Sequence, residues 1–331
     1  MRPSLGVSGA APWAGRRPAG RVWAIVTSMA RHDGDGWARC DLGHTHWGIF
    51  GAAGLLAWLP GRDGDPAQVL LHRRGWTVHH PRTWGPPGGA RDSHESEVHA
   101  ALREAAEEIA VPAALVRPTG IHLDDHGGWA YRTVLAEADE PFGVRNANRE
   151  SIAAGWIPAP DVAGLVLHPG FAAAWPRLSA VLEPVTVIVD TANVMGSRAD
   201  GWWRDRAGAA ARLHGEVAAL AARGVPGEGD GDLERRFPGY LMVLEGAARA
   251  ALPGLTAQTS NAAGPGEAPP AGAVSVIAAG GSGDDLIARL AADLPGRRLV
   301  VTADRELRSR VEAAGAAVTG PRWLLGQLAA G

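Results

Sequence analysis

The hydrophobic positions change rhythm twice along the chain. From residue 46 the segment HWGIFGAAGLLAWL (46–59) is a nearly unbroken apolar run, which predicts a buried strand. A GRDGD turn (61–65) separates it from a second strand, QVLLHRR (68–74), and a Gly/Pro loop, TWGPPGG (83–89), follows. Over 93–110 the spacing becomes helical, with Val98, Leu102, Ala105 and Ile109 on one stripe and Ser93 or Asp92 placed to cap it. GGWAYRTVLAEA (127–138) predicts another strand and FAAAWPRLSAVL (171–182) a closing helix.

Glu183-Pro184 marks a boundary, because a helix rarely continues through the residue before proline. Beyond it, VTVIVD (185–190) reads as a strand covered on both faces. A helix (about 205–222), strand 240–245, a loop rich in Gly, Pro and Ala (253–272), strand 273–278 and helix 284–294 come next. Strand 298–304, helix 305–315, strand 316–320 and helix 322–330 complete the chain. Strands alternating with helices predict βαβ units and a doubly wound parallel sheet. The expected organisation is therefore a flexible extension (1–45), an α/β domain (46–182) and a second α/β domain (184–331), with no internal repeat.

Composition supports two folded domains. The chain has 331 residues, 46% apolar and 20% charged, enough for each half to bury a core. A net charge of −3 gives no global basic field toward nucleic acid or lipid. The single cysteine, Cys40, forbids an internal disulfide and fits a reducing cytoplasm, where the protein is expected. Trp47 to Pro60 is too short and too rich in Gly and Ala to span a bilayer, so no membrane partner is expected. Arg16-Arg17 before Val22 to Ala30 faintly resembles a twin-arginine export signal, but Pro18 and Gly20 interrupt it. Met29 is an alternative start that would leave 1–28 as an unfolded leader.

The helix after the glycine loop carries the chemistry of the first half. Glu104, Glu107 and Glu108 share one helical face, where like charges repel unless a divalent cation intervenes. An oxygen-only ligand set suits Mg²⁺ or Mn²⁺. The glycines ahead of the helix let backbone approach an anionic ligand closely. Together these features suit hydrolysis of phosphate esters or anhydrides.

Residues 89–111 resemble the Nudix box, G-x5-E-x7-R-E-U-x-E-E-x-G-U with U aliphatic. The matches are Gly89, Glu95, Arg103, Glu104, Ala105, Glu107, Glu108 and Val111. Ala110 stands where the family has Gly, which suggests a different helix exit, and Pro87 replaces a common Leu. The resemblance covers about 46–180. It implies a Nudix α/β/α sandwich with a mixed sheet that hydrolyses nucleoside diphosphate-linked substrates with Mg²⁺ or Mn²⁺. Glu104, Glu107 and Glu108 would hold the metal, Arg103 and Glu95 would orient the ligand helix, and Gly88 and Gly89 would meet the substrate. The box does not fix the general base; His80, His94, His126 and Glu150 are candidates. The alternative reading is a regulatory protein whose first domain senses a nucleotide without turning it over.

CDLGHTHWG (40–48) places Cys40, His44 and His46 close together. A zinc site needs a fourth ligand, and without one the segment reads as a solvated turn.

Acids sit at the carboxyl ends of the second half's strands: Asp190, Glu245, Asp284 with Asp285, and Asp304. Ligands of open parallel sheets bind there. VDTANVMG (189–196), GSGDD (281–285) and TADREL (302–307) resemble the NYN branch of PIN-like nucleases. That resemblance implies a metal site of Asp190, Asp284 or Asp285, and Asp304, with Asn193 ordering the first loop, and either RNA cleavage or RNA binding. Helix capping is the competing explanation for Asp284 and Asp304. Trp202, Trp203, Arg204 and Arg206 could stack and pair with single-stranded RNA.

Overall fold

The computed structural model describes residues 32–62, 64–76, 78–145, 150–227, 233–256 and 268–330. The Arg16-Arg17 signal, the Met29 start and most of the 253–272 loop lie outside these residues.

Residues 32–45 are not a loose extension. They contain β1 (Trp37–Arg39), which pairs antiparallel with β2 (Thr45–Trp47). Gly34 N–H donates to Asp92 Oδ1 at 2.9 Å, and Asp33 accepts from Ser93 N–H and Oγ. The expectation of mobility followed from a lack of apolar period, but polar side chains and backbone hold this hairpin down.

The first half is built on a mixed sheet. Its strands are β3 (Ala52–Leu59), β4 (Gln68–Arg74), β5 (Trp84–Gly85) and β6 (Gly88–Ala90). Helix α1 (Glu97–Ile109) comes next, then β7 (Val116–Asp125), β8 (Ala130–Ala138), β9 (Ser151–Pro158) and α2 (Pro169–Ser179). β3 lies parallel to β8 and antiparallel to β4 and β6. Every residue of β3 is buried, as its continuous apolar run requires. α1 packs Ala101, Ala105 and Ile109 on one face of the sheet, while α2 packs Phe171, Trp175 and Leu178 on the other. β7 carries polar residues at irregular intervals, and β9 (SIAAGWIP) is a short run of mostly small residues without alternation, so the hydrophobic pattern did not reveal them.

The second half contains β10 (Val185–Asp190), α3 (Thr191–Gly196), α4 (Arg206–Arg223), β11 (Val225–Pro226) and β12 (Leu233–Arg236). It continues through β13 (Gly239–Leu244), α5 (Leu252–Thr256), β14 (Val274–Ala278), α6 (Gly283–Asp293) and β15 (Arg297–Val301). It ends with α7 (Arg305–Ala313), β16 (Ala317–Thr319) and α8 (Pro321–Ala329). The parallel sheet runs β14-β13-β10-β15-β16. Leu213 of α4 and Leu324 of α8 pack on one face; Ile287 of α6 and Leu307 of α7 pack on the other. This is the doubly covered sheet that the apolar runs predicted.

The two halves are not joined by the Glu183-Pro184 connection alone. β12 leaves the second half and pairs antiparallel with β7, extending the first sheet. Leu233 is buried in the cluster beneath α2, and Arg132 donates to Glu234 at 2.8 Å. A covered β7 edge removes a template for unwanted strand pairing. No helix among the described residues is long and apolar enough to cross a membrane.

If β12 is integral to the first core, Leu233→Ala in the full chain should cost about 2–4 kcal/mol in chemical denaturation. A neutral substitution would mean that the arm docks without contributing to stability.

Candidate active site

α1 begins later than its sequence suggested, and the reason lies in the preceding turn. Asp92 and Ser93 were the expected caps, but both are engaged by the hairpin of residues 33–34. Glu95 N–H instead donates to Asp92 O at 3.1 Å, and Ser96 caps the helix by accepting from His99 N–H at 3.2 Å. The helix ends at Ala110 in the left-handed region (φ 58°, ψ 40°). The exit expected to differ for want of glycine is therefore the one glycine favours, taken here by a residue with a Cβ. Ala110 N–H and Val111 N–H still satisfy the carbonyls of Ala106 and Ala105.

Within this frame Arg103 clamps the acids. It donates to both oxygens of Glu95, at 2.8 and 2.9 Å, to Glu104 Oε1 at 2.7 Å and to Ala90 O at 2.9 Å. Burial would raise the Glu95 carboxyl, but the hydrogen bonds from Arg103 and Asp92 N–H hold it below its ordinary value. Glu95 and Arg103 thus tie the turn and β6 to the helix.

Glu104 and Glu108 face the glycine strand. Gly88 N–H donates to Glu108 Oε2 at 3.0 Å. A Cβ on Gly89 would lie 2.7 Å from the Glu104 carboxyl, and one on Gly88 would lie 2.5 Å from Ala53 O, so the strand approaches this closely only as glycine. Burial, with the charge of Glu104, pushes Glu108 up to about 8 against an ordinary 4.5. Burial also pushes Glu104 up to about 6, with Arg103 opposing and Glu107 and Glu150 adding to the shift. Glu107 is the exposed member of the three, 3.4 Å from Arg103 Nη1.

Of the candidate bases, Glu150 comes near enough for its charge to raise both buried glutamates. His80 groups with His79 and His168, His94 with Asp33 and Asp92, and His126 with Cys40, His44 and His46. None of these three histidines joins the glutamates. A fourth histidine, absent from the sequence reading, does. His72 on β4 is fully buried, with Nε2 3.7 Å from Glu108 Oε2 and no hydrogen-bond partner on that nitrogen. Burial lowers its pKa to about 3, so the contact is not an ion pair. Its Nδ1 lies 2.5 Å from Ser151 Oγ. The only sequence signal was a histidine inside the apolar run QVLLHRR.

Glu104, Glu107 and Glu108 lie along one side of α1, with Glu108 buried, Glu104 half-buried and Glu107 exposed, and burial makes Glu104 and Glu108 reluctant to ionise. Arg103 on Glu104 and Gly88 N–H on Glu108 oppose that rise in part and do not reverse it.

In the second half, Asp190, Glu245, Asp284 and Asp304 line one cavity of about 490 Å³ at the carboxyl ends of the strands. Capping and convergence coexist there. Asp190 Oδ1 accepts from Asn193 N–H at 3.0 Å, and its Oδ2 accepts from Thr302 Oγ1 at 2.8 Å. Asp304 caps α7 through Leu307 N–H, while Ser282, not Asp284, caps α6. Asn193 Oδ1 accepts from Ala303 N–H at 2.9 Å and so ties two of the strand-end loops together. Burial, then the charges of Asp284 and Glu245, raise Asp190 against those hydrogen bonds; burial, Asp304 and Glu245 raise Asp284. Asp285 does not join them: it turns outward to Arg310 at 2.7 Å. Trp202 packs against the core beside α4 with Arg206 over its ring, and Trp203 is exposed.

Comparison with known proteins bears on the first half. A NUDIX domain model matches residues 53–178. A Mycobacterium tuberculosis (strain ATCC 25618 / H37Rv) protein with the provisional name 8-oxo-dGTP diphosphatase 3 is 46% identical over 167 residues, 49% of this chain and 75% of that protein. A nucleoside triphosphate pyrophosphatase/Nudix hydrolase fusion protein of Bifidobacterium longum (strain NCC 2705) is 39% identical over 156 residues, 45% of this chain and 32% of that protein. The crystal structure of a Nudix hydrolase from M. smegmatis, RenU, is 46% identical, covering 44% of this chain and 92% of that one, with a TM-score of 0.40.

The raised carboxyl has a measurable consequence without a cation. Because the folded pKa of Glu108, about 8, lies above its ordinary 4.5, its contribution to stability is fully present below about pH 4.5 and is lost as pH rises toward 8. In chelator at pH 8, Glu108→Gln should melt above wild type, by roughly 2–4 °C for each kcal/mol recovered. At pH 5 the gap should largely close. A gap of equal size at both pH values, read by calorimetry, would show that ionisation of this carboxyl is not the cause.

Proposed function

The chain belongs to the NUDIX domain family, and on that premise we propose that its first half is a Mg²⁺- or Mn²⁺-dependent pyrophosphohydrolase of nucleoside diphosphate-linked substrates. The observation that carries this reading is the buried Glu108 with the half-buried Glu104 against the Gly88–Gly89 strand. Glu104, Glu107 and Glu108 are the residues that would hold the cation. When bound, the ion neutralises phosphate oxygens and makes a water more acidic. Arg103, locked by Glu95, holds α1 in register with β6, so the carboxylates face the strand at which a phosphate chain would arrive. The side-chain-free Gly88–Gly89 backbone lies directly against the glutamates, with Gly88 N–H on Glu108 Oε2. Glu150, outside the helix and near enough for its charge to reach Glu104 and Glu108, would accept a proton from attacking water. His72 is the buried neighbour of Glu108, 3.7 Å away and without a hydrogen bond to it. The substrate class of the M. tuberculosis relative makes 8-oxo-dGTP the first compound to try.

The test is a screen of nucleoside triphosphates and diphosphate-linked compounds with Mg²⁺ or Mn²⁺, reading released phosphate or pyrophosphate. Wild type should turn over at least one, and Glu108→Gln should lower that turnover by roughly two or more orders of magnitude while the protein stays folded. Tight nucleotide binding with no turnover under any metal would favour the alternative, a nucleotide-sensing regulatory domain.

For the second half a separate reading rests on the four acids lining one cavity. We propose a cation-dependent, PIN-like nuclease site of Asp190, Asp284 and Asp304, with Glu245 beside them and the exposed Trp203 available to stack a base. Single-stranded RNA should be degraded by wild type with Mn²⁺ and spared by Asp190→Asn. RNA retained but never cut by wild type would leave binding as this half's role.

A further inference from the structure

The hairpin of β1 and β2 meets the turn between β7 and β8 at a cluster that the glutamate chemistry does not use. Cys40 follows β1, His44 and His46 lie in and just before β2, and His126 comes from the β7–β8 turn. We propose that Cys40, His44, His46 and His126 form a closed four-ligand zinc site that pins the hairpin to this turn.

The ligand atoms of the four residues already lie within 4.8 Å of one another. A tetrahedral zinc, with bonds of about 2.3 Å to sulfur and about 2.0–2.1 Å to nitrogen, sets its ligand atoms roughly 3.3–3.8 Å apart. His46 Nε2 and Cys40 Sγ, at 3.4 Å, meet that spacing. The sequence supplied three of the donors within seven residues; the fold brings in the fourth from 80 residues further along.

His126 is oriented as a ligand would be. Its Nε2 is 3.3 Å from Asp124 Oδ2, while its Nδ1 is buried with no hydrogen-bond partner. A carboxylate on one ring nitrogen fixes the tautomer and directs the other nitrogen to a metal. An orphaned buried nitrogen without a metal would carry a desolvation cost. His46 is likewise held in place, its ring stacked on Trp129 with centroids 3.9 Å apart and planes within 8°. Trp129 is itself fixed by its Nε1–H donating to Gly48 O at 2.8 Å.

The backbone frames the cluster. Cys40 N–H donates to His44 O at 3.0 Å and Gly43 N–H to Cys40 O at 2.9 Å, closing the turn that carries the thiol. Asp41 N–H donates to Gly127 O at 2.8 Å and joins that turn to the His126 loop. One thiolate and three imidazoles form a soft donor set that favours zinc over the Mg²⁺ or Mn²⁺ suited to the glutamates. Four protein ligands leave no open position, so the ion would be structural. Its consequence would reach the proposed active site through the same hairpin, whose Asp33 and Gly34 hold Ser93 and Asp92 ahead of α1.

The test uses the full chain, stripped with chelator and reloaded with one equivalent of Zn²⁺ or Co²⁺. X-ray absorption at the zinc edge should read one sulfur at about 2.3 Å and three nitrogens at about 2.0 Å. Cobalt should give intense tetrahedral bands with a thiolate charge-transfer band. Cys40→Ser should abolish that band, Asp124→Asn should weaken zinc affinity roughly 10–100-fold, and Glu104→Gln should leave both readouts intact. Failure of wild type to retain zinc, a sulfur-free coordination shell, or a cobalt spectrum unchanged by Cys40→Ser would overturn the proposal. The wild-type spectra decide it even if a variant fails to fold.

Discussion

Bringing like-charged carboxylates together under low-dielectric cover is unfavourable, and the architecture of the first half follows from tolerating it. Glu108 is buried beside the half-buried Glu104, and burial raises both. Nothing in a stable helix requires that arrangement. It persists because β6, free of side chains at Gly88 and Gly89, lies against the acids, and because Arg103 fastens α1 to Glu95 and to the Ala90 carbonyl. The fully buried β3 beneath gives both elements a rigid floor. The patch is thus electrostatically unfavourable on an otherwise well-packed sheet.

The second half gathers acids by a different route. There the topology does the collecting: a parallel sheet with connections on both faces leaves a crevice at its strand ends, and Asp190, Glu245, Asp284 and Asp304 converge there from separate loops. Asp190 both caps its helix and faces the cavity, so local capping and a shared site are compatible uses of one carboxyl. The arm carrying β12 joins the two sheets along β7 and makes the first half's edge depend on the second.

Elements whose side-chain pattern reports burial directly were legible in the sequence. The runs at β4, β10 and β13 named strands within a residue or two, because a doubly covered strand must be apolar throughout, whereas the run at 46–59 begins six residues before β3, its first part being taken by β2 and the turn after it. The glutamate cluster was legible because helical spacing alone puts Glu104 and Glu108 on one face. What stayed hidden depended on distant partners. Ser96 replaced Ser93 as the cap because Asp33 had already taken Ser93. Ala110 adopts the left-handed exit that glycine favours, and an alanine gives no local signal of it. His72 and His126 acquired meaning only when folding brought Glu108 and Cys40 beside them, and Asp285 lost its expected role to Arg310. Pairing of β12 with β7 has no local signal at all.

The central claim is that the buried glutamates of α1 are a cation site. Crystals of the full chain grown with Mn²⁺ and measured for anomalous scattering test it directly. The account predicts a peak bounded by the carboxylates of Glu104, Glu107 and Glu108, absent from crystals of Glu104→Gln. Anomalous density confined to other parts of the molecule, with the three glutamates empty at saturating Mn²⁺, would contradict it.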